Sequence, residues 1–162
     1  MNKRITCFIP LSDRESLSIT IRNLISTGVV EKVFVVAGEQ TGIDDLPGAG
    51  FLLSDSFTST KTMRLIAKVS ETEYTLLYTK VFPLDPGKYA FHRMMQVCSD
   101  TDAGMVYSGY WESRDGKLSP HPLIDYQEGS LRDDFNFGSV ILWITAFFFA
   151  FLTSLMMLRL RK

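Results

Sequence analysis

Ile5-Thr6-Cys7-Phe8-Ile9-Pro10-Leu11-Ser12-Asp13-Arg14-Glu15 carries the reading of the fold. The stretch from Ile5 to Leu11 is apolar on almost every position, the pattern of a strand covered on both faces. Pro10 suits the end of that strand, because it has no N–H to give to a central ladder. Ser12-Asp13 then offers a helix N-cap, and Glu15 lies where a carboxylate favours the positive start of a helix. Leu17, Ile21, Leu24 and Ile25 recur at helical spacing, and Gly28 ends the helix. A buried strand turning into an amphipathic helix opens a series of alternating strands and helices.

The rest of the chain continues that series. Lys32-Val33-Phe34-Val35-Val36-Ala37 is a second continuously apolar strand, and a loop rich in Gly, Asp and Pro over 38–50 leads to a brief strand at Phe51-Leu52-Leu53. Residues 58–69 read as a helix with Met63, Ile66 and Ala67 on one face, and Tyr74-Thr75-Leu76-Leu77-Tyr78 is the next strand. Pro86 fits the early turn of a third helix running to about Cys98, followed by a strand at Gly104-Met105-Val106-Tyr107. Asp115-Gly116 between Trp111-Glu112-Ser113 and Leu118-Ser119 is a hairpin signal. The expectation is an α/β fold with a doubly wound sheet, right-handed crossovers and the first strand near the centre. Ligands in such sheets sit at the carboxyl ends of the strands. Here those ends are Leu11-Ser12-Asp13, Ala37-Gly38-Glu39, Ser54-Asp55 and Thr79-Lys80.

Bulk properties narrow the function. The chain has 162 residues and a net charge of −1, with no basic stretch interleaved with aromatics, so it offers no field or motif for nucleic acid. Cys7 and Cys98 are isolated in apolar surroundings and read as reduced core thiols, not as a disulfide framework or zinc site. Met1-Asn2-Lys3-Arg4 is a basic start, but the apolar segment after it is too short and broken for a signal-peptide core. The expected compartment of the domain is the cytoplasm.

Residues 140–158 are uncharged and apolar, and Arg159, Arg161 and Lys162 follow them. The run is apolar all round, with Phe147-Phe148-Phe149-Ala150-Phe151-Leu152 at its heart, and at about 1.5 Å per residue it is long enough as a helix for a ~30 Å hydrocarbon core. The expected organisation is therefore a domain over 1–139, a transmembrane segment over 140–158 and a basic tail over 159–162. That makes a single-pass C-terminal anchor on the cytoplasmic face of the cell membrane. A strand beginning at Val140, with a helix starting nearer Trp143, is the alternative local reading, since β-branched residues suit a strand.

Taken together, these residues resemble the GT-A fold of the family 2 glycosyltransferases. The opening from Ile5 to Glu15 is similar to that family's first strand, proline and turn into the first helix, and Val33 to Glu39 is similar to its second strand. Thr72-Glu73-Tyr74-Thr75-Leu76-Leu77-Tyr78-Thr79-Lys80-Val81-Phe82-Pro83-Leu84-Asp85-Pro86-Gly87 matches, without a gap, the strand carrying the DxD motif and the Pro-Gly after it. The resemblance covers residues 4–142 and implies a doubly wound mixed sheet and a nucleotide-sugar donor. It also implies a sugar transferred to a carbohydrate or lipid-linked acceptor of the cell envelope or of a polysaccharide.

It departs from the family at the chemistry. The two DxD acids, which hold Mg²⁺ or Mn²⁺ on the donor diphosphate, fall on Thr79 and Val81, so no metal is expected. The family's general base comes from a later segment, which is absent or replaced by the apolar run. Either the protein is a transferase tethered by that run, or it is a truncated or degenerate GT-A module that binds without catalysis. In the second case it is a membrane-tethered binding protein; if the run is instead a truncation or frame change, the protein is cytoplasmic.

The resemblance points to Pro10, Leu11, Asp13, Glu39, Lys61, Arg64, Thr79 and Lys80 as the nucleotide-sugar site. Lys80 either neutralises a diphosphate as a point charge where the metal is missing or is a solvated strand-end lysine. Lys61 and Arg64 face the donor or form an ordinary helix surface, and Asp13 contacts a nucleotide or caps its helix. Glu39 is placed to reach a ribose hydroxyl. Asp133 and Asp134, adjacent on an extended segment, point to opposite faces and do not form a carboxylate pair. His92 and His121 (the latter in the stiff Pro120-His121-Pro122) have no partner at a recognisable spacing, so neither receives a role. Tyr107, Tyr110 and Trp111 stack on a sugar or pack a sheet edge.

Overall fold

A computed structural model describes residues 4–38, 46–54, 56–125 and 135–159, with side chains described through residue 154. β1 (Ile5–Pro10) passes into α1 (Arg14–Ser26), then β2 (Val30–Ala37), β3 (Ala49–Leu53), α2 (Thr60–Val69) and β4 (Tyr74–Tyr78). Next come α3 (Ala90–Thr101), β5 (Met105–Tyr107) and a hairpin of β6 (Tyr110–Arg114) and β7 (Lys117–His121). The last described elements are β8 (Val140–Ile144) and α4 (Thr145–Arg159). The main sheet has the order β3-β2-β1-β4-β8-β5. Strands β1 to β4 pair in parallel, and β8 runs antiparallel to both of its neighbours. β1 lies inside the sheet, as its apolar sequence requires.

Side chains leave each strand alternately, so one sheet carries two cores. Ile5, Cys7 and Ile9 of β1 join Val33, Val35, Leu76 and Leu142 on the face covered by α1 and α3. Phe8, Val36 and Leu77 face the other way, against Ile66 and Ala67 of α2 and Phe148 and Leu152 of α4. The result is a three-layer helix–sheet–helix arrangement. Phe8 is fully buried with its ring stacked 5.4 Å from Phe34, a burial worth about 1.5–3 kcal/mol.

Local signals set the element ends. Asp13 caps α1, its carboxylate accepting the Ser16 N–H at 2.9 Å, and Ser59 caps α2 by accepting from Thr62 N–H at 3.1 Å. Asp115 and Gly116 both adopt positive φ, at 49° and 75°, as a tight two-residue hairpin turn demands. Two local expectations shift. α3 begins at Ala90 and not near Pro86, because the Ala90 N–H closes a turn on the Gly87 carbonyl where Gly disfavours a helical start. His121 is not in a loop but ends β7, where Pro120 is tolerated because a two-stranded ribbon has open edges.

The largest correction concerns 140–158, which is not one membrane-spanning helix. Val140, Ile141, Leu142, Trp143 and Ile144 form a strand paired with β4 on one side, and Ile141 to Trp143 pair with β5 on the other. α4 has 15 residues, about 22 Å, which falls short of a ~30 Å hydrocarbon core. No helix among the described residues is long and apolar enough to cross a membrane. The physical reason is sheet closure: β4 and β5 each need a ladder partner, and the β-branched Val140, Ile141 and Ile144 supply it. The α/β unit therefore extends past residue 139.

Candidate functional site

Parallel pairing brings the carboxyl ends of β1, β2, β3 and β4 to one edge of the sheet. Because β8 runs antiparallel, its beginning comes to that same edge, and Tyr78 is paired with Val140. Backbone hydrogen bonds carry the pairing one residue beyond each strand. Leu11 N–H donates to the Val36 carbonyl at 3.1 Å, Ser54 N–H to Ala37 at 2.8 Å, and Thr79 N–H to Ser139 at 2.9 Å. The turns at Pro10-Leu11, Ala37-Gly38, Ser54 and Thr79-Lys80 are thus held as one rim. Gly138 belongs to it with φ 78°; a Cβ there would meet the Ser108 carbonyl at 2.8 Å and Leu123 at 2.7 Å. Only glycine fits so close an approach with positive φ.

Of the expected site residues, Pro10, Leu11, Asp13, Thr79 and Lys80 lie along this rim. Lys61 and Arg64 sit exposed in the early part of α2, which starts from the same edge. Lys80 is exposed, as are its neighbours Val81 and Phe82. Asp13 is occupied as a cap, and the Ser16 N–H holds its carboxyl below its ordinary value. Glu39, Asp55, Asp133 and Asp134 lie outside the described residues.

The rim contains features that the sequence reading did not pick out. Ser54 and Thr62 are buried with their hydroxyls 2.5 Å apart, and Thr62 also donates to the Ser56 carbonyl, tying β3 to the start of α2. The Tyr78 hydroxyl donates to the Phe82 carbonyl at 2.8 Å and pins the segment after β4. Burial, aided by the nearby Tyr110, pushes that phenol up to about 12, so it remains a donor near neutral pH. In the hairpin, Glu112 and His121 are 3.1 Å apart. Counting outward from the Asp115-Gly116 turn would have placed Tyr110 opposite His121 and found this pair.

The residues at the end of β4 do not fit a divalent cation. A hard cation needs several oxygen ligands, preferably carboxylates. Thr79 has one hydroxyl, which lies 3.4 Å from the carbonyl oxygens of Gly138 and Ser139, Val81 has no ligand atom, and Lys80 places a positive charge between them. Among the described residues no cluster of three His, Cys, Asp or Glu side chains could hold a metal. A cavity of about 550 Å³ lies at the opposite edge, lined by Ala67, Ser70, Glu71, Glu73, Thr145 and Phe149 among others. Its acids are engaged, Glu71 with Lys32 at 2.6 Å and Glu73 with Arg4 at 2.5 Å.

No protein-family model matches the chain, and no curated protein matches it in sequence. Solved structures do match it in fold. One is 4-diphosphocytidyl-2C-methyl-D-erythritol synthase from Anaerococcus prevotii, at TM-score 0.62 and 12% identity over 95% of this chain and 75% of that one. Another is CMP:2-keto-3-deoxy-manno-octonic acid synthetase complexed with CTP, at TM-score 0.59 and 10% identity over 93% and 78%. A third is S. aureus TarS 1-349 in complex with UDP-GlcNAc, at TM-score 0.59 and 12% identity over 88% and 46%. The fold is that of the GT-A-like nucleotidyltransferases, with a central, mostly parallel sheet. The chain spans about three quarters of the synthase and under half of the TarS chain.

Proposed function

We propose that the protein binds a nucleoside-diphosphate sugar along the carboxyl rim of its sheet and transfers the sugar to a carbohydrate or lipid-linked hydroxyl. The observation that supports this most directly is Lys80, an exposed ammonium at the end of β4, on the rim that the β1–α1 turn and the start of α2 share. Nucleotide ligands in two structures of similar fold, CTP and UDP-GlcNAc, support the reading. Pro10, Leu11 and the Asp13-capped turn form one wall, Thr79 and Lys80 the phosphate side, and Lys61 and Arg64 add positive charge from α2. An ammonium at the developing diphosphate charge acts by electrostatic attraction, and no step requires a metal.

The test is a thermal-shift panel of UDP-glucose, UDP-GlcNAc, GDP-mannose and TDP-glucose, each with and without Mn²⁺, on the wild type and Lys80→Ala. The expected result is a stabilising shift from at least one donor that does not need Mn²⁺ and shrinks in the variant. No shift from any donor, or a Mn²⁺-dependent shift indifferent to Lys80, would overturn the proposal.

A further inference from the structure

We infer that His121 is the general base that takes the proton from the acceptor hydroxyl, with Glu112 as its positioning residue. The inference rests on the donor site proposed above and assigns the residue that activates the acceptor. The two side chains are nine positions apart in sequence and are brought together by the hairpin register, which pairs Tyr110 with His121 and Glu112 with Ser119. On this face the Tyr110 ring stacks on the His121 ring at 4.8 Å and 10°, fixing the imidazole plane. Glu112 uses one oxygen for His121 Nε2 at 3.1 Å and the other for Arg114 Nε at 2.9 Å, so the carboxylate is itself held on both sides.

This face of the hairpin is the more covered of the two. Tyr110, Glu112 and His121 are half-buried, whereas Trp111 and Leu118 on the opposite face are largely exposed. The base of the hairpin meets the rim at Gly138, where a Cβ would touch the Ser108 carbonyl at 2.8 Å and Leu123 at 2.7 Å, the residues that flank the hairpin; the next residue, Ser139, accepts from the Thr79 N–H. Tyr110 is also near enough to Tyr78, at the end of β4, to raise its phenol. A surface ion pair placed only for stability needs none of these features, and such pairs contribute little.

The chemistry follows from the hydrogen bond. In the tautomer that donates Nε2–H to Glu112, the imidazole lone pair is on Nδ1, which has no hydrogen-bond partner among the described residues. The acceptor hydroxyl gives its proton to Nδ1 as its oxygen bonds to the anomeric carbon. The bond from that carbon to the diphosphate oxygen breaks, and its electron pair leaves with the nucleoside diphosphate. The imidazolium then faces the Glu112 carboxylate, which stabilises it as the charge forms.

The experiment uses the full chain and the same four donors, with water as acceptor and release of nucleoside diphosphate as the readout. His121→Ala should lower release about 10²–10⁴-fold, the usual contribution of a general base, with the donor-induced thermal shift unchanged. Added imidazole should restore part of the rate in that variant, a recovery that a structural role would not give. Glu112→Gln should lower release with donor binding intact, and Leu118→Ser on the opposite face should leave it unchanged. His121→Ala with wild-type release, or without recovery by imidazole, would overturn the assignment. A wild type that binds a donor but releases nothing would also overturn it while leaving the donor site standing. Absence of donor binding would remove the donor site itself.

Discussion

Two strand-to-helix units, β1–α1 and β8–α4, occupy inner positions of the same sheet and do opposite things. β1 is parallel to both neighbours, so its turn reaches the carboxyl rim, where Leu11-Ser12-Asp13 forms a polar, capped corner. β8 is antiparallel to both neighbours, so its turn into α4 falls on the far edge. There Thr145 N–H donates to the Glu73 carbonyl at 3.0 Å, and its hydroxyl lies 2.9 Å from that of Thr75. α1 buries one stripe and offers polar residues to solvent. α4 buries Phe148 and Leu152 and leaves Phe147, Phe149 and Phe151 about half exposed, with Trp143 against all but Phe149 of these phenylalanines. Strand direction, more than apolar content, decides which unit can carry chemistry.

The strongest way to break this comparison is to remove β8. A chain ending at Ser139 should lose cooperative urea unfolding, since β4 and β5 lose their shared partner and the face bearing Phe8 and Leu77 loses α4. A cooperative transition like that of the full chain would show that β8 is an accessory. Point substitutions sharpen the same contrast. Phe8→Ala should cost about 3–5 kcal/mol and Leu142→Ala about 2–5 kcal/mol by equilibrium denaturation, because both side chains are fully buried. A Leu142→Ala cost below about 1 kcal/mol would mean that β8 is far less integral to the core than β1.

Smaller effects separate the two edges. Lys80→Ala should weaken donor binding by about 1.5–3 kcal/mol in calorimetric titration, the scale of a hydrogen bond to a charged group. Glu73→Gln, at the far edge, should leave that binding unchanged. The smallest effect is that of Asp13. Its folded pKa is depressed by the Ser16 N–H, so the stability it contributes is present above its ordinary value of 3.8 and lost as pH falls through the folded value. Asp13→Ala should therefore lower the melting temperature slightly at pH 7, with the difference closing in acid. Asp13→Asn, which also caps, should stay near wild type at pH 7.

Most elements were readable because their determinants are local. The continuous apolar runs of β1, β2 and β4, the cap at Asp13 and the Asp115-Gly116 turn need no distant partner to be recognised. The end of β4 was also legible, since the apolar run stops at Tyr78 and Thr79-Lys80 follows it at the rim. The Glu112–His121 pair was missed because a search along the chain looks for fixed motif spacings, whereas these two meet only through the hairpin register. Residues 140–158 were misread as a span for a related reason. An uncharged run satisfies the same local criteria whether lipid or protein covers it.

The sequence by itself determined the order of strands and helices as far as the β6–β7 hairpin, the central place of β1 and the absence of DxD carboxylates at the end of β4, because each of these depends on side-chain type and near neighbours. Only the tertiary structure decided that Val140–Ile144 closes the gap between β4 and β5, that α4 starts at the edge away from the rim, and that Glu112 meets His121. Those outcomes depend on which backbone ladders remain open after the parallel strands have paired, and that is a property of the assembled sheet.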